Sequence, residues 1–393
     1  MKMDSPWQNG GFGSVLQQDN YPDRSLYSLF YILVGNRQML CRHYTMFMLF
    51  PCNDNHKSTV KEFNMVKEKL YSATHSAIAA EIPEGPNQPR VVYRNCGTDF
   101  LLIEYGEVRL DINIRVRVHA LEEAVSLMRI DGIIDMTSAA RSLLIHFDGL
   151  TLSHAKLLEI LKSVEQSLTA SIPDKIPSRV MHMPIAFRDK SVKESIEKYM
   201  AVFRSEAPYL PCNVEFVARA NGLKDAQEVI SNFLGSPFLV VGLGDVYMGA
   251  PNATALDPRL RMIVPKYNPA RIWTAEGVVA LGGSTMSIYP LDSPGGYQLM
   301  GRTVQTWDTF QRNKAFENPW LFRNFDKLQW HRVDEEELDD IRSAFEANTY
   351  EFKIEDDVFD VVAYNKFLDD VKDEVDAVQK KRLAAIDAAM VGY

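Results

Sequence analysis

The chain has 393 residues, 46% of them hydrophobic and 24% charged, and carries a net charge of -9. This length and composition are typical of a globular protein with enough core for two domains of ordinary size. The negative charge balance argues against nucleic acid as a partner, because nucleic-acid-binding domains present a basic surface.

Residues 1–88 show no steady hydrophobic period and end in the turn-rich stretch EIPEGPNQPR, which is typical of a boundary. We therefore leave this segment without a predicted fold. Its most apolar part, LYSLFYILVGNRQMLCRHYTMFMLF, is interrupted by charged and polar residues, so neither half reaches the ~20 residues of a membrane span. Asp4 and other polar residues stand where a signal peptide would be basic and then apolar, so no signal peptide is predicted. The four cysteines are scattered and expected to be reduced, so we predict a cytoplasmic protein, and one without a membrane partner.

Residues 89–175 predict a small α+β subdomain. The segments RVVYR, FLLIEYG and DINIRVRVHA are rich in β-branched and aromatic residues and predict strands, whereas residues 121–128 predict a helix. Two more strands are predicted in GIIDM and SLLIHFD, the latter with His146 as a core histidine. In SHAKLLEILKSVEQSL the apolar residues recur at helical spacing, so we expect an amphipathic helix with Ser153 as its N-cap.

The pattern in residues 176–312 predicts a second subdomain, a mostly antiparallel barrel or sandwich. A strand in RVMHMPIAF is followed by two helices, at residues 191–200 and in DAQEVISNFLG, the second with Asp225 as cap and Gly235 as stop. Short apolar strands then alternate with Gly and Pro turns in FLVVGLG, RMIVPKY, GVVALGG, STMSIYP and YQLMGRTVQTW. This spacing is typical of a mostly antiparallel barrel or sandwich.

Residues 313–393 predict a helical, acidic C-terminal extension. The runs DEEELDD and IEDD are interpreted as a solvated face, and a charged helix begins near Tyr364. The predicted fold class is therefore α+β, with a small α+β subdomain, a barrel or sandwich subdomain and this extension.

Several motifs for other chemistries are incomplete. The stretch GLGDVYMGAP contains Gly-x-Gly after an apolar strand, but Asp245 stands where a dinucleotide-binding helix would begin. Ser293 lacks the Gly-x-Ser-x-Gly elbow of a serine hydrolase. The four cysteines form no C-x-x-C pair and no His/Cys cluster occurs, so we expect reduced thiols and no metal site.

The stretch KYNPARIWTAEGVVALGGSTMSIYPLDSPGGYQLMGRT is dense in glycine, proline and large polar residues. Glycines expose backbone N–H groups, and lysine or arginine beside such groups can stabilise an oxyanion or hold a planar polar substrate. A barrel that needs tight turns would explain the glycines equally well. The polar side chains available in the stretch are Lys266, Tyr267, Asn268, Arg271, Tyr297, Gln298 and Arg302.

Several ordered motifs resemble the second half, subdomains C and D, of the carboxyltransferase domain of urea carboxylase, the biotin-dependent part of urea amidolyase. They are GLGDVYMGAP, DPRLRM, KYNPARIWT, SPGGYQLMGRTVQTW, NPWLFRNFDKLQWHRVDEEEL and, upstream, IPSRVMHMPIAF, RSEAPYLPCNVEFVARANGL and CGTDFLLIEYGEVRLDINIRVRVHALEEA. More distantly the chain is similar to one of the subunits of bacterial 5-oxoprolinase and to kinase-inhibitor-like proteins. The resemblance runs from about Val91 nearly to the C-terminus and implies a cyclophilin-like β-barrel after the small subdomain.

The resemblance also implies chemistry, namely transfer of carboxylate from carboxybiotin to urea to give allophanate. It implies Lys266 for charge stabilisation, with Asp245 and Tyr247 holding urea. The residues expected to orient substrate or to form the wall against biotin and urea are Asn268, Arg271, Gly295, Gly296, Tyr297, Gln298 and Arg302. One departure is Leu260, which replaces the histidine that we expect in the DPRLR motif.

The resemblance implies partners as well. Biotin would be carried by another chain or domain, and ATP would be used only through a partner with biotin carboxylase activity. A complementary carboxyltransferase half would complete the cleft. Two alternatives stay open: a component of an ATP-dependent amidohydrolase of the 5-oxoprolinase kind, and a non-catalytic regulatory or binding module.

Overall fold

The computed structural model describes residues 77–168, 172–244 and 247–390, and every structural statement below concerns these residues. Within them the first subdomain contains an antiparallel sheet in the order β1-β2-β3-β5-β4 with two helices packed against each other. Its elements are β1 (Ile78–Ile82), β2 (Val91–Asn95), β3 (Phe100–Tyr105), α1 (Ile112–Met128), β4 (Ile133–Ser138), β5 (Ser142–Phe147) and α2 (His154–Leu168).

The amphipathic helix predicted in this subdomain is confirmed as α2. Leu157 and Leu161, one turn apart, are fully buried in the same core as Leu101 and Ile103 of β3. The Ser153 hydroxyl accepts a hydrogen bond from the Lys156 amide at 3.3 Å, as expected of an N-cap. Burial of this leucine stripe therefore fixes α2 on the sheet.

The strand predicted in DINIRVRVHA is wrong, because this segment forms the first half of α1. The Asp111 carboxylate caps the helix by accepting the Asn113 amide at 2.9 Å. Isoleucine and valine alternate with arginine here, which imitates a half-buried strand. However, Arg115 and Arg117 are buried as well, and each donates a hydrogen bond inside the protein. The arginines therefore do not mark a solvent face, and the segment forms a helix that is buried around most of its circumference.

The second region is built around an eight-stranded sheet in the order β13-β10-β11-β8-β7-β14-β6-β15. Its strands and helices are β6 (Lys175–Phe187), α3 (Lys190–Val202), α4 (Asn213–Ala220), α5 (Ala226–Leu234), β7 (Phe238–Leu243), β8 (Pro251–Ala255), β9 (Arg271–Thr274), β10 (Val278–Gly282), β11 (Thr285–Ile288), β12 (Ser293–Gly295), β13 (Gln298–Arg302), β14 (Lys327–Arg332), α6 (Glu335–Glu346), β15 (Ile354–Asp360), α7 (Val361–Asp370) and α8 (Lys372–Ala389). A separate two-stranded sheet pairs β12 with β9.

One short antiparallel pairing, Gly301 with Phe187 and Arg302 with Ala186, joins β13 to the end of β6. The structure thus shows a mixed α/β fold and a long sheet whose strand order returns to β6. A closed barrel is not established by this two-residue pairing, so the cyclophilin-like barrel stays a prediction.

The predicted strand RMIVPKY is wrong, since the segment contributes only an isolated bridge between Val264 and Gly283. Side chains satisfy other backbone groups of the segment. Asn221 accepts the Ile263 amide at 2.8 Å, and Gln298 donates to the Pro265 carbonyl at 2.8 Å. A proline inside the segment cannot donate to a sheet, so side-chain partners replace the ladder.

The predicted helices α3 and α5 are confirmed, as is the cap of α5. The Asp225 carboxylate accepts the Glu228 amide at 3.0 Å, and Gly235 follows the last helical residue. The helix predicted from about Tyr364 is interrupted, because α7 and α8 are separated at Val371.

Residues beyond 312 lie in the same sheet as the middle of the chain. Strand β14 runs parallel to β6 and β15 runs antiparallel to it on the other side. The predicted domain boundaries stay predictions.

In the described ranges, no helix combines the length and the apolar character required to traverse a lipid bilayer.

Candidate functional site

Lys266 lies on an exposed loop directly before a buried tyrosine. Its Nζ is 4.6 Å from the centroid of the Tyr297 ring, a distance at which the ring quadrupole attracts an ammonium group. The Tyr297 ring in turn lies on Gly282, where a Cβ atom would overlap the ring carbons. Glycine at position 282 therefore allows the aromatic ring under Lys266 to lie against the sheet.

The glycine pair Gly295–Gly296 belongs to the same surface. A Cβ at Gly295 would overlap the Tyr289 hydroxyl, whereas a Cβ at Gly296 would make only ordinary contacts, the nearest with Lys266 Cβ at 3.6 Å. The Gly296 carbonyl accepts the Tyr267 amide at 2.6 Å. This bond ties the Lys266 loop to the segment between β12 and β13.

Arg271 is 1% exposed, and its guanidinium is held by the fold itself. It donates to the Thr274 hydroxyl at 3.1 Å, the Tyr297 carbonyl at 2.8 Å and the Tyr289 hydroxyl at 3.3 Å. It also lies over the Tyr267 ring, 4.3 Å from the centroid. The structure therefore places Arg271 behind the surface that carries Lys266.

Gln298 is fully buried beside the same loop. Its Nε2 donates to the Pro265 carbonyl, while its Oε1 is buried without a hydrogen-bond partner among the described residues. Asn268 is exposed, and its backbone is held by the Tyr209 hydroxyl, which lies 3.4 Å from the amide and 3.3 Å from the carbonyl oxygen. The predicted residues Lys266, Asn268, Gly296, Tyr297 and Gln298 thus form one region, which we call the Lys266 site.

A buried aromatic network supports this site from below. Tyr267 packs against Tyr209 and Tyr199, with ring centroids 4.1 Å and 4.8 Å away, and the hydroxyls of Tyr199 and Tyr209 are 2.8 Å apart. The Tyr267 hydroxyl also hydrogen-bonds the side chain of Asn213. Burial raises the pKa of Tyr267 to about 12, because a phenolate would lose its hydration there.

The raised pKa of Tyr267 predicts a pH dependence of stability. In the unfolded chain tyrosine ionises near pH 10, whereas in the folded protein Tyr267 stays protonated up to about pH 12. The stabilisation that the protonated Tyr267 contributes is therefore complete below pH 10 and is lost as the pH rises through about 12. In that window Tyr267→Phe should reduce the slope of the unfolding free energy against pH by about 1.4 kcal/mol per pH unit. Guanidinium chloride unfolding at successive pH values measures both slopes, and equal slopes would contradict the assignment.

Arg302, also predicted for the site, belongs to a different cluster. Its Nε donates to the Glu276 carbonyl at 2.8 Å and its Nη1 to the Ser191 hydroxyl at 2.9 Å. The Glu276 carboxylate pairs with both Arg302 and Arg342. Burial raises the pKa of Glu276, and the two guanidinium groups oppose this shift. This cluster joins α3 and α6 to the sheet.

The remaining predicted residues, Asp245 and Tyr247, fall between β7 and β8 in the sequence. Asp245 lies outside the described residues. Tyr247 is 43% exposed and contacts the edge of Trp307, 6.0 Å between ring centroids. Trp307 also pairs with Trp320, on which Gly249 packs. Tyr247 therefore packs against a tryptophan cluster.

Leu260 lies in a structural turn rather than in the Lys266 site. Its Cδ1 lies 3.0 Å from where a Cβ of Gly235 would be, at the end of α5. In the same turn Asp257 pairs with Arg259 at 2.7 Å, and Arg382 of α8 donates to the carbonyl groups of Pro258 and Arg259. The DPRLR motif therefore anchors the last helix.

Sequence reasoning missed the support of the site. Asn213, Tyr209 and Tyr199 are buried beneath the surface of the Lys266 site. Tyr209 and Asn213 hydrogen-bond its backbone, and the Tyr199 hydroxyl bonds that of Tyr209. A polar residue at the start of a short apolar helix, as in PCNVEFVARA, is the signal that could have identified Asn213. No group of three or more His, Cys, Asp or Glu side chains that could hold a metal ion occurs in the described part of the chain.

The arrangement presents a lysine ammonium and an asparagine amide on a rigid, aromatic and glycine-lined surface. Gly283, whose backbone hydrogen-bonds Val264 just before this loop, has open space where a side chain would be. Such a surface can stabilise negative charge on a flat ligand that approaches the backbone closely.

The fold agrees with solved structures. The chain matches the crystal structure of the K. lactis urea amidolyase with a TM-score of 0.74 and 35% identity, over 80% of this chain and 20% of that one. It is 38% identical over 309 residues to the urea amidolyase of Lachancea kluyveri, which is 78% of this chain and 17% of that protein. The chain thus spans about a sixth of the length of this curated relative.

A more distant relative is a 5-oxoprolinase subunit of Bacillus subtilis, which is 25% identical over 246 residues, covering 61% of this chain and 92% of that protein. A family model described as "Carboxyltransferase domain, subdomain C and D" matches residues 91–317. This match includes the first subdomain from β2 onward and all of the Lys266 site. The chain therefore belongs to the family of carboxyltransferase domains, subdomains C and D.

Proposed function

We propose that this chain is one half of a carboxyltransferase that moves carboxylate from carboxybiotin to urea and gives allophanate. The family membership and the names of the similar proteins, urea amidolyase among them, support a urea substrate. The observation that carries the proposal is the exposed Lys266 ammonium over the Tyr297 ring, beside the Gly295–Gly296 backbone.

The residues of the Lys266 site fit the ureido end of biotin. The open space at Gly283 and the small Gly296 leave room for a bicyclic group near the backbone. When bound, carboxybiotin supplies the carboxyl group that is transferred. Lys266 and Asn268 would hold the group: the ammonium faces the negative charge that develops when carboxylate leaves, and the amide offers both a donor and an acceptor.

Urea needs fixed polar contacts because it is planar, neutral and weakly acidic. In this proposal Asn268 orients it, and Asp245 and Tyr247 stay predicted contacts of urea. Arg271 acts indirectly, since it holds the Tyr297 carbonyl and the Tyr267 ring. Arg302 likewise acts through the fold, by fixing the end of β13 against Glu276.

The aligned region is 17% of a urea amidolyase, so the proposal assigns the remaining steps of urea carboxylation to further domains or chains. We propose as partners a complementary carboxyltransferase half, a biotin carrier and a biotin carboxylase that uses ATP. The biotin cofactor would be attached to the carrier. The cleft is then completed between the two carboxyltransferase halves.

Reconstitution tests this proposal. The full chain is mixed with the biotin carboxylase, biotin carrier and complementary carboxyltransferase half of a urea carboxylase, and urea-dependent ATP cleavage and allophanate formation are measured. We expect both activities only when this chain is present. Cleavage of ATP that depends on 5-oxoproline instead of urea would favour the amidohydrolase alternative, and a bound but inactive complex would favour a regulatory module.

A further inference from the structure

Asn213 is a buried residue at the first position of α4, and both the nitrogen and the oxygen of its side-chain amide hydrogen-bond other protein groups. Its Nδ2 donates to the Tyr209 carbonyl at 2.9 Å, and its Oδ1 accepts the Leu299 amide at 2.8 Å. The Tyr267 hydroxyl lies 2.7 Å from Nδ2 and 2.9 Å from Oδ1. One side chain therefore joins three separate segments of the chain.

Two of these segments carry the Lys266 site. Tyr267 directly follows Lys266, and Leu299 directly follows Gln298. The third, at Tyr209, holds the backbone of Asn268 through its own hydroxyl. The positions of the Lys266 loop and of β13 relative to each other thus depend on the Asn213 amide.

The burial of these groups makes the arrangement rigid. Asn213, Tyr209 and Tyr267 are at most 5% exposed. Water cannot readily replace a lost partner there, so removing the amide deletes the hydrogen bonds that it makes to the Leu299 N–H and the Tyr209 carbonyl. Buried polar networks of this kind specify one arrangement of the surrounding backbone.

We infer that Asn213 is a positioning residue for carboxyl transfer: it keeps Lys266 over Tyr297 and Gln298 beside Pro265 without touching the substrate. The catalytic part of this inference rests on the proposed function. The structural part concerns only the chain itself and can be measured without turnover.

The test compares Asn213→Leu with Asn313→Leu. Asn313 is also buried, and its side chain bridges backbone in the same way, donating to the Tyr350 carbonyl at 2.8 Å and accepting the Ala315 amide at 3.1 Å. Both of these partners lie outside the Lys266 site. Both changes should lower the guanidinium chloride midpoint, so Asn313→Leu controls for general destabilisation.

In the reconstituted assembly Asn213→Leu should lower kcat by about 10- to 100-fold, the usual effect of a reacting group displaced by about 1 Å, with little change in KM for urea. In the full chain alone, the Leu299 amide should exchange its hydrogen about fivefold faster, the equivalent of one lost hydrogen bond. Acylation of the Lys266 amine by a small reagent should also become faster. Asn313→Leu should change none of these three quantities.

A second, milder variant guards against loss of folding. Tyr267→Phe removes one hydroxyl and should also lower kcat, by less than Asn213→Leu does. The double variant should lower kcat little further than Asn213→Leu alone, because both changes act through one network. Equal kcat for Asn213→Leu and Asn313→Leu at matched stability would overturn the inference. If the wild-type assembly shows no urea-dependent turnover, the proposed function fails, while exchange at Leu299 and acylation of Lys266 still decide whether Asn213 positions the loop.

Discussion

Replacing Lys266 by alanine should lower urea-dependent carboxyl transfer by about 10²- to 10³-fold, the loss seen when a charge-stabilising group is removed from an active site. The change deletes the ammonium over Tyr297 and leaves the ring on Gly282 in place. Allophanate formation in the reconstituted assembly measures the effect. Because the side chain is exposed, the guanidinium chloride midpoint should stay close to that of the wild type.

Lys314 is a suitable control for Lys266. It is an exposed lysine paired with Glu351 at 2.6 Å, and neither residue belongs to the Lys266 site. Lys314→Ala should leave the rate unchanged, and Lys266→Arg should retain part of it because the positive charge persists. Full activity of Lys266→Ala in an assembly that turns over urea would remove Lys266 from the mechanism.

Replacing Arg117 by alanine should destabilise the first subdomain by about 3–5 kcal/mol, because a buried carboxylate then loses its counter-charge. Glu165 is fully buried, and its Oε1 accepts the Arg117 Nε at 2.7 Å. The Tyr105 hydroxyl donates to its Oε2 at 2.5 Å. Unfolding in guanidinium chloride measures the loss.

Two further variants separate the buried pair from arginine in general. Arg90 forms an ion pair with Glu81 on the surface of the same sheet, so Arg90→Ala should hardly move the midpoint. Adding Glu165→Gln to Arg117→Ala should recover part of the lost stability, since the amide keeps hydrogen bonds without a charge. An Arg117→Ala protein as stable as the wild type would show that Glu165 is not the charged partner we assign.

The elements that can be predicted from the sequence are those that bury continuous apolar faces. FLVVGLG corresponds to β7 and SLLIHFD to β5, because β-branched and aliphatic runs between turns favour buried strands in either sheet. The cap at Asp225 is equally predictable, since an N-cap is a local interaction. Such features depend on neighbours within a few residues.

Elements that depend on distant partners cannot be predicted in this way. The strand KLQWHR alternates polar and apolar residues inside a stretch with the composition of an acidic extension. It becomes β14 because it pairs with the distant strands β6 and β7. In α1 the alternating arginines suggest the exposed face of a strand. Arg117 is instead buried, because it pairs with Glu165, which lies far along the chain. The burial of a charged side chain cannot be predicted from the sequence until its partner is known.

The residues of the candidate site also divide into those that the local sequence predicts and those that depend on distant segments. The glycine-rich stretch predicts Lys266 and Tyr297 together, and the structure brings them into contact. Arg302 lies in that stretch too, but its surroundings are set by Glu276 and by Arg342 of a later helix. The support from Asn213 comes from yet another segment, so polar composition can identify the surface but not what holds it.

Strand β6 has a consequence for how the protein is made. It hydrogen-bonds β14 and β15, both of which lie much later in the chain, and Ile354 pairs with Met181. During translation β6 therefore leaves the ribosome long before either neighbour exists. Among the described strands, β1–β5 pair with one another and not with later strands, so they can fold early. We expect the nascent second region to depend on chaperones until residue 360 has emerged, since long-range strand pairing is slow and leaves edges open to aggregation.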